Sequence, residues 1–160
     1  MLAVTHAKII PYPFDVVLSQ YFDYEHVKHV HPDTLGEYHL VEARGNVIVY
    51  EQLWPRRFCH RRRSLVKQEF FPPAEVRFDF LRGLYQGVHV RSLLFEDPEG
   101  TRVEETYFLK LPDWAWLRAW VRRSIVRKVD LIWEEDLRVK VCHGGWPGVP
   151  RQPETPHARG

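Results

Sequence analysis

Three histidines and one carboxylate lie close together in this sequence, with types and spacings suited to binding a metal ion. His26, His29 and His31 all fall between residues 22 and 36, and Asp23 precedes His26 by three residues. Neutral imidazole is the commonest metal ligand in proteins, and a carboxylate beside its second nitrogen fixes the tautomer. Asp23 suits that supporting role, because residues i and i+3 share one face of a helix.

The proline at position 32 decides whether these histidines converge. His26 and His31 are five residues apart, which is about 140° around an ideal helix, so an unbroken helix would direct them apart. Pro32 ends the helix, because the residue before a proline is driven out of the α region. The direction of His31 can then differ from the helical one, so convergence with His26 becomes possible. His29, which forms an i, i+3 pair with His26, is a competing choice of ligand.

A third candidate ligand lies in a later helical segment. Five residues separated by 4, 3, 4 and 3 positions form one face of that segment: Ile125, Val129, Ile132, Asp136 and Val139. Asp136 is the single carboxylate on this apolar face, and a buried carboxylate needs a partner or a metal ion. Two histidines and one carboxylate form the facial triad of non-haem Fe(II) enzymes. Glu134 and Glu135, in the same acidic run, are alternatives to Asp136.

The elements that position these residues follow from hydrophobic periodicity. Residues 3–10 alternate as a first strand, and residues 14–31 have helical spacing, expected to split into two short helices near Asp23. Residues 36–111 alternate with period two, and Gly- and Pro-containing turns divide them into six candidate strands. These are Tyr38–Arg44, Val47–Trp54, Phe58–Phe70, Glu75–Tyr85, Val88–Glu96 and Arg102–Leu111. Short links between successive strands make an antiparallel meander.

A long C-terminal helix is predicted to cover this sheet. Asp113 is its expected N-cap, and helical character runs to about Val141 before Gly144 and Gly145 end it. An antiparallel sheet with one apolar face needs a cover. The predicted fold is therefore an α+β domain over residues 1–143, in which a curved antiparallel sheet of about seven strands wraps around the long helix. An apolar cavity is expected between them, followed by a flexible Pro- and Gly-rich tail at 144–160.

Composition restricts the classes of function. The chain has 160 residues, of which 44% are hydrophobic, and its six Trp, seven Tyr and nine Phe suit a ligand cavity. A formal charge of +2 gives no argument for nucleic acid, and the arginine-rich segment 56–63 is interpreted as a solvated strand face. Cys59 and Cys142 form no disulfide or metal motif. With no signal peptide and no membrane span recognised, a cytoplasmic location is expected.

The order of elements resembles the START-like (SRPBCC) superfamily, which includes polyketide cyclases, lipid-transfer domains and Bet v 1-type proteins, and whose architecture is the helix-grip fold. Within it, Asp23-x-x-His26-x-x-x-x-His31, followed by Pro32 and Thr34-Leu35-Gly36, resembles the iron motif in the catalytic domain of Rieske-type aromatic ring-hydroxylating oxygenases. This resemblance implies that His26, His31 and Asp136 bind Fe(II), or another divalent ion such as Zn(II), and that Asp23 is the bridging catalytic residue.

Three functions are open at this point. The first is an oxidoreductase-like non-haem iron protein that acts on a hydrophobic or aromatic small molecule. Because the chain lacks the Cys-x-His and Cys-x-x-His pairs of a Rieske domain, its electrons would have to come from a separate electron-transfer protein or from the substrate. The second is a metal-free START-like protein that carries a lipid or polyketide. The third is a START-like cyclase, in which a cavity acid or histidine acts on a carbonyl substrate.

Overall fold

Seven strands, one short helix and one long helix make up the fold, in a computed structural model that describes residues 1–23, 27, 29–55 and 63–143, the last five by backbone alone. The strands are β1 (Leu2–Ile10), β2 (Glu37–Arg44), β3 (Val47–Leu53), β4 (Arg63–Phe71), β5 (Glu75–Gly83), β6 (His89–Asp97) and β7 (Gly100–Leu109). The helices are α1 (Phe14–Gln20) and α2 (Ala115–His143).

All seven strands belong to one antiparallel sheet with the order β1-β7-β6-β5-β4-β3-β2. Strands β2 to β7 form the meander that short links dictate, and β1 returns to pair with β7. Side chains alternate between the two faces, so β4 buries Ser64, Val66 and Gln68 while Lys67 lies on the opposite face. The pairing register shifts between Leu65 and Val66, and such irregularities increase the local twist of a sheet.

Helix α2 packs across the buried face of the sheet. Val129 and Trp133 of α2 join a core cluster with Ile10, Val17, Leu94 and Val103, which come from β1, α1, β6 and β7. The predicted face of α2 is confirmed where side chains are described, because Val129 is buried and Ile125 and Ile132 line the cavity beneath the helix. Asp136 is only 6% exposed, so the carboxylate on this face points inward, as its spacing predicts.

The predicted α+β helix-grip architecture is confirmed, with local corrections. The long helix begins at Ala115, and the N–H of Arg118 donates to the carbonyl of Trp114 at 3.0 Å. Trp114 is therefore the N-cap, because its carbonyl accepts the first bond of the helix. The prediction of Asp113 as the N-cap was wrong. Its carboxylate instead forms an ion pair with the guanidinium group of Arg118, at 3.0 Å.

Two other boundary predictions lie partly outside the described residues. Of the second short helix, residues 27, 29 and 30 have helical backbone, and the N–H of His31 donates to the carbonyl of Val27 at 2.9 Å. The proposed start of the third meander strand at Phe58 and the tail at 144–160 are outside the described ranges. Within those ranges, no helix has the length and apolar character needed to cross a membrane.

Candidate active site

A cavity of about 610 Å³ lies between the sheet and α2, within the size range of small-molecule sites. Aromatic and aliphatic side chains from both layers dominate its lining; among them are Tyr50, Trp54, Phe78, Phe80, Val90 and Ile125. Three ionisable clusters interrupt this apolar wall, around Glu105, around His31 and around Lys128, and the exposed side chain of Lys110 also lines the cavity. An apolar cavity with a few convergent polar groups is the usual form of a ligand or active site.

The first cluster surrounds the carboxyl group of Glu105 on β7. Strand alternation turns Glu105 and Tyr107 to the cavity side together. Tyr21 Oη and Ser92 Oγ donate to Oε1 of Glu105 at 3.0 and 3.3 Å, and Tyr107 Oη donates to Oε2 at 3.1 Å. Three neutral hydroxyls therefore hold one carboxyl group in a fixed orientation.

Burial is the main cause of the raised pKa values in this cluster. Desolvation raises the pKa of Glu105 above its ordinary value, and the hydrogen bonds from Tyr21, Tyr107 and Ser92 only partly offset that effect. Burial and the nearby Glu105 charge also raise the pKa of Tyr21 and of Tyr107 well above the usual tyrosine value. The two phenols thus remain hydrogen-bond donors, and the carboxyl group holds its proton more firmly than an exposed glutamate does.

The second cluster joins His31 to the end of α2. His31 Nδ1 lies 2.7 Å from Oε2 of Glu135, and His31 Nε2 lies 3.0 Å from Oδ1 of Asp136. Thr34 Oγ1 also donates to Oε2 of Glu135, at 2.6 Å. Burial lowers the pKa of His31, but the hydrogen bonds and charges of Asp136 and Glu135 outweigh it and leave that pKa raised.

Pro32 has the local effect that the sequence predicts at this position. The chain turns after His31, whose carbonyl accepts hydrogen bonds from the N–H groups of Thr34, Leu35 and Gly36 at 3.3, 2.9 and 2.9 Å. This turn leaves the His31 side chain only 2% exposed and directed at α2. His31 and Asp136, 105 residues apart in the chain, therefore lie in direct contact, and their joint role as metal ligands stays a prediction.

The other predicted site residues have different outcomes. His26 lies outside the described residues, so its role as a ligand stays a prediction, and so does the supporting role of Asp23 beside it. Asp23 is half-buried, and its backbone N–H donates to the carbonyl of Gln20 at 3.4 Å. His29 is exposed. Glu135 contacts the other nitrogen of His31, so the structure brings both carboxylates to this ring, and the choice between them as a ligand stays a prediction.

Metal binding itself is not tested by this arrangement. In the described part of the chain, no group of three His, Cys, Asp or Glu side chains is placed to hold a metal ion. The partner that a buried Asp136 requires is present, because His31 contacts it directly.

The third cluster was missed by the sequence analysis. Lys128 lines the cavity, with Nζ 4.2 Å from the ring centre of Trp54 and 5.9 Å from that of Tyr85. Burial lowers its pKa from 10.5 to about 8. A signal for it exists, since Lys128 follows Ile125 by three residues and precedes Ile132 by four, on the same helix face. Glu105 has a similar signal, lying between Val103 and Tyr107 in the period-two pattern.

Comparisons with known proteins show likeness at the level of the fold. No protein-family model and no curated protein matches this sequence. Among solved structures, TTHA0849 from Thermus thermophilus is 20% identical, with a TM-score of 0.66 over 86% of this chain and 99% of that one. The Zhui aromatase/cyclase from Streptomyces sp. R1128 is 14% identical, with a TM-score of 0.66 over 90% of this chain and 99% of that one.

A two-domain aromatase/cyclase extends the same likeness. StfQ, the di-domain ARO/CYC of the steffimycin biosynthetic pathway, is 10% identical, with a TM-score of 0.65 over 86% of this chain and 48% of that one. This chain therefore spans about half of StfQ. The fold that these structures share with this chain is the helix-grip architecture. These neighbours support that architecture, and they give no support to the finer resemblance to Rieske-type oxygenases.

Proposed function

We propose that this protein binds a hydrophobic carbonyl compound in the cavity between the sheet and α2 and catalyses acid–base chemistry on it, as a cyclase does. One observation carries the proposal: an apolar cavity of about 610 Å³ contains the Glu105 carboxyl group, held by Tyr21, Tyr107 and Ser92 and with a raised pKa. The likeness of the fold to aromatase/cyclases agrees with this activity as an analogy.

Glu105 is suited to move a proton twice in such a reaction. As a carboxylate it accepts a proton from the carbon next to a carbonyl group, which leaves an enolate. That carbon then bonds to a second carbonyl carbon of the same molecule, and the acid form of Glu105 returns the proton to the new alkoxide. A raised pKa favours this cycle, because general acid–base catalysis is most effective when the pKa lies near the working pH. The ring closure is an isomerisation, and loss of one water would lead towards an aromatic ring.

Proton exchange on a small bicyclic ketone tests this role without knowledge of the natural substrate. The protein in D₂O should accelerate exchange of the α-protons of 2-tetralone above the buffer rate, as followed by proton NMR. Glu105→Gln keeps the shape of the side chain but removes the base, so exchange should slow at least about tenfold. Glu104→Gln is the matched control, because Glu104 precedes Glu105 on β7 and lies on the opposite face of the strand.

The outcomes separate catalysis from simple binding. Loss of exchange in Glu105→Gln, with Glu104→Gln unchanged, supports the cyclase proposal. Saturable binding of 2-tetralone with no exchange above the buffer rate contradicts catalysis by Glu105. That result would favour the START-like carrier that the sequence also suggests, in which the cavity holds an apolar molecule without converting it.

Metal binding is a second candidate, favoured by one distance. The 3.0 Å between His31 Nε2 and Asp136 Oδ1 equals the separation of two neighbouring ligands that each lie about 2.1 Å from one ion. In that case His31 Nδ1 would donate to Glu135, which fixes the tautomer. His31 and Asp136, with His26 as predicted, would then hold Fe(II) or another divalent ion, which would act as a Lewis acid on a carbonyl oxygen.

Metal analysis of protein purified without a histidine tag tests this second candidate. Stoichiometric iron or zinc that is lost in Asp136→Asn and retained in Glu134→Gln would support it, because Glu134 is exposed on the outer face of α2. No bound metal and no uptake of Fe(II) or Zn(II) would rule it out. Oxygenase activity is not part of the proposal, because no contact and no comparison supports the electron-transfer protein that it needs.

A further inference from the structure

Lys128 has aromatic neighbours where two other described lysines have a carboxylate partner. Lys67 Nζ lies 2.6 Å from Glu69, and Lys8 Nζ lies 3.8 Å from Asp130. Among the described residues, the neighbours of Lys128 Nζ are the rings of Trp54 and Tyr85, and no carboxylate lies within ion-pair distance. The cavity therefore contains a cation whose protein partners are aromatic faces.

An ammonium group in this position favours an anionic ligand. Burial lowers the pKa of Lys128 to about 8, with no charged neighbour contributing, so the amine is still mostly protonated at pH 7. A charge in an apolar cavity without a counter-ion is costly, and an anion that enters beside it recovers part of that cost. A charge-assisted hydrogen bond is about twice as strong as a neutral one.

The rest of the cavity fixes the orientation of such a ligand. Lys128 and Asp136 are eight residues apart on α2, which corresponds to about 12 Å along the helix axis. The apolar side chains of Val129, Ile132 and Trp133 form the wall between them. At the far end of the cavity Asp136 is already paired with His31, so an anionic group finds no open cation there and is attracted towards Lys128.

We propose that Lys128 and Trp54 form an anion-binding subsite, and that the ligand is an elongated apolar molecule with one anionic group at the end that reaches Lys128. The inference rests on the proposed function, because it requires a ligand in this cavity. It adds the polarity of the ligand and the direction in which it lies: the apolar body fills the space along α2 towards Glu105 and Asp136, and the charged end faces Trp54.

Two fluorescent dyes with one skeleton provide the test. 8-Anilinonaphthalene-1-sulfonate carries a sulfonate, N-phenyl-1-naphthylamine is the same arylamine without it, and both become fluorescent in apolar cavities. The affinity of each is measured at pH 7 for the wild-type protein, for Lys128→Met and for the matched control Lys67→Met. Lys67 lies on the opposite face of the sheet from the cavity. Lys128→Met should weaken the sulfonate dye at least about tenfold and leave the neutral dye equal or tighter.

The cavity-filling variant Ile132→Trp, checked for folding by circular dichroism, shows where the dyes bind. It should weaken both dyes, since Ile132 lines the cavity. If both dyes bind and depend on Ile132, but Lys128→Met changes neither, the anion subsite is overturned and the proposed cavity function stands. If neither dye binds, or if Ile132→Trp leaves both unchanged, the cavity is not a ligand site and both proposals fail. An equal loss of the sulfonate dye in Lys67→Met would also overturn the inference.

Discussion

Two charged residues on the same face of α2 are treated differently by the fold. Asp136, near the end of the helix, contacts the imidazole of His31 at 3.0 Å, and Glu135 contacts the other nitrogen of that ring at 2.7 Å. Lys128, two turns earlier, contacts the ring of Trp54 and has no carboxylate among the described residues within ion-pair distance. At the Asp136 end of the cavity the charged groups are paired within the protein. At the Lys128 end the ammonium group has no described carboxylate partner.

Under the proposed anion-binding subsite, the difference separates an end of the cavity that holds the fold together from an end that selects the ligand. A buried pair such as His31 and Asp136 holds two distant parts of the chain in register, but a ligand gains little from it because its polar atoms are already engaged. An unpaired ammonium carries a desolvation cost that a ligand can reduce. Glu105 lies between these cases, because its partners are neutral hydroxyls that orient the carboxyl group without neutralising a charge.

The largest expected change in the free energy of unfolding comes from removing the carboxylate that pairs with His31. Asp136→Ala leaves the His31 ring buried without the carboxylate that contacts its Nε2, and removal of one member of a buried pair costs about 3–5 kcal/mol. Urea denaturation should show this as a lower midpoint with an unchanged slope. Glu134→Ala, on the exposed face of the same turn, should cost less than about 0.5 kcal/mol. Equal effects of the two variants would show that the His31 contact does not hold the fold together.

A stabilising effect is expected from removing the unpaired charge. The pKa of Lys128 falls from 10.5 to about 8 on folding, so Lys128→Met should raise the free energy of unfolding at pH 7 by up to about 3 kcal/mol. The folded state binds this proton more weakly than the unfolded chain does, so wild-type stability rises with pH between about 8 and 10.5. The advantage of the variant should therefore shrink across that interval.

Urea titrations of both proteins at pH 7, 9 and 10.5 measure this convergence. Lys67→Met, which removes an ion-paired lysine at the sheet surface, should not show it. A destabilised Lys128→Met at pH 7, with wild-type circular dichroism, would mean that contacts of the side chain with Trp54 outweigh the cost of burying its charge.

The smallest effect is expected at Glu105, where neutral partners surround a carboxyl group with a raised pKa. The folded state holds this proton more firmly than the unfolded chain, so wild-type stability is lost as the pH rises from about 4.5 through the raised pKa of Glu105. Glu105→Gln has no charge to bury and should therefore be more stable than the wild type at pH 7, a difference that disappears towards pH 4. A loss of stability that does not vary with pH would indicate that the hydroxyl contacts matter more than burial.

The sequence predicted most of the sheet, because alternation and turn residues are local signals. It also predicted the inward direction of Asp136 and the turn at Pro32, since helical spacing and proline geometry act within a few residues. The cluster around Glu105 could not be assembled in this way. Tyr21, Ser92 and Tyr107 come from three parts of the chain, and Tyr21 is 84 residues from its carboxyl partner. Only the pairing of β6 with β7 and the return of the chain after β1 bring them together.

Lys128 was missed for a different reason. Its place on the apolar face was readable, but a lysine can usually extend its ammonium group to water from such a position. Here the side chain lies beneath α2 against Trp54, which is itself held by a hydrogen bond from its Nε1–H to Ser64 Oγ at 2.9 Å. The ammonium group of Lys128 is confined by an aromatic residue 74 positions away in the chain. This contact is a property of the tertiary structure, and no local sequence pattern predicts it.

Indole N–H signals in a ¹H–¹⁵N NMR spectrum test the central claim, that the cavity beneath α2 is the ligand site, most directly. Trp54 and Trp133 line the cavity, whereas Trp114 and Trp116 are 57% and 68% exposed at the start of α2 and stack on each other. Each signal is assigned by a single Trp→Phe variant, and 2-tetralone is added stepwise. We predict saturable shifts of the Trp54 and Trp133 signals while Trp114 and Trp116 stay in place. Shifts confined to Trp114 and Trp116, or no shifts at all, would contradict the account.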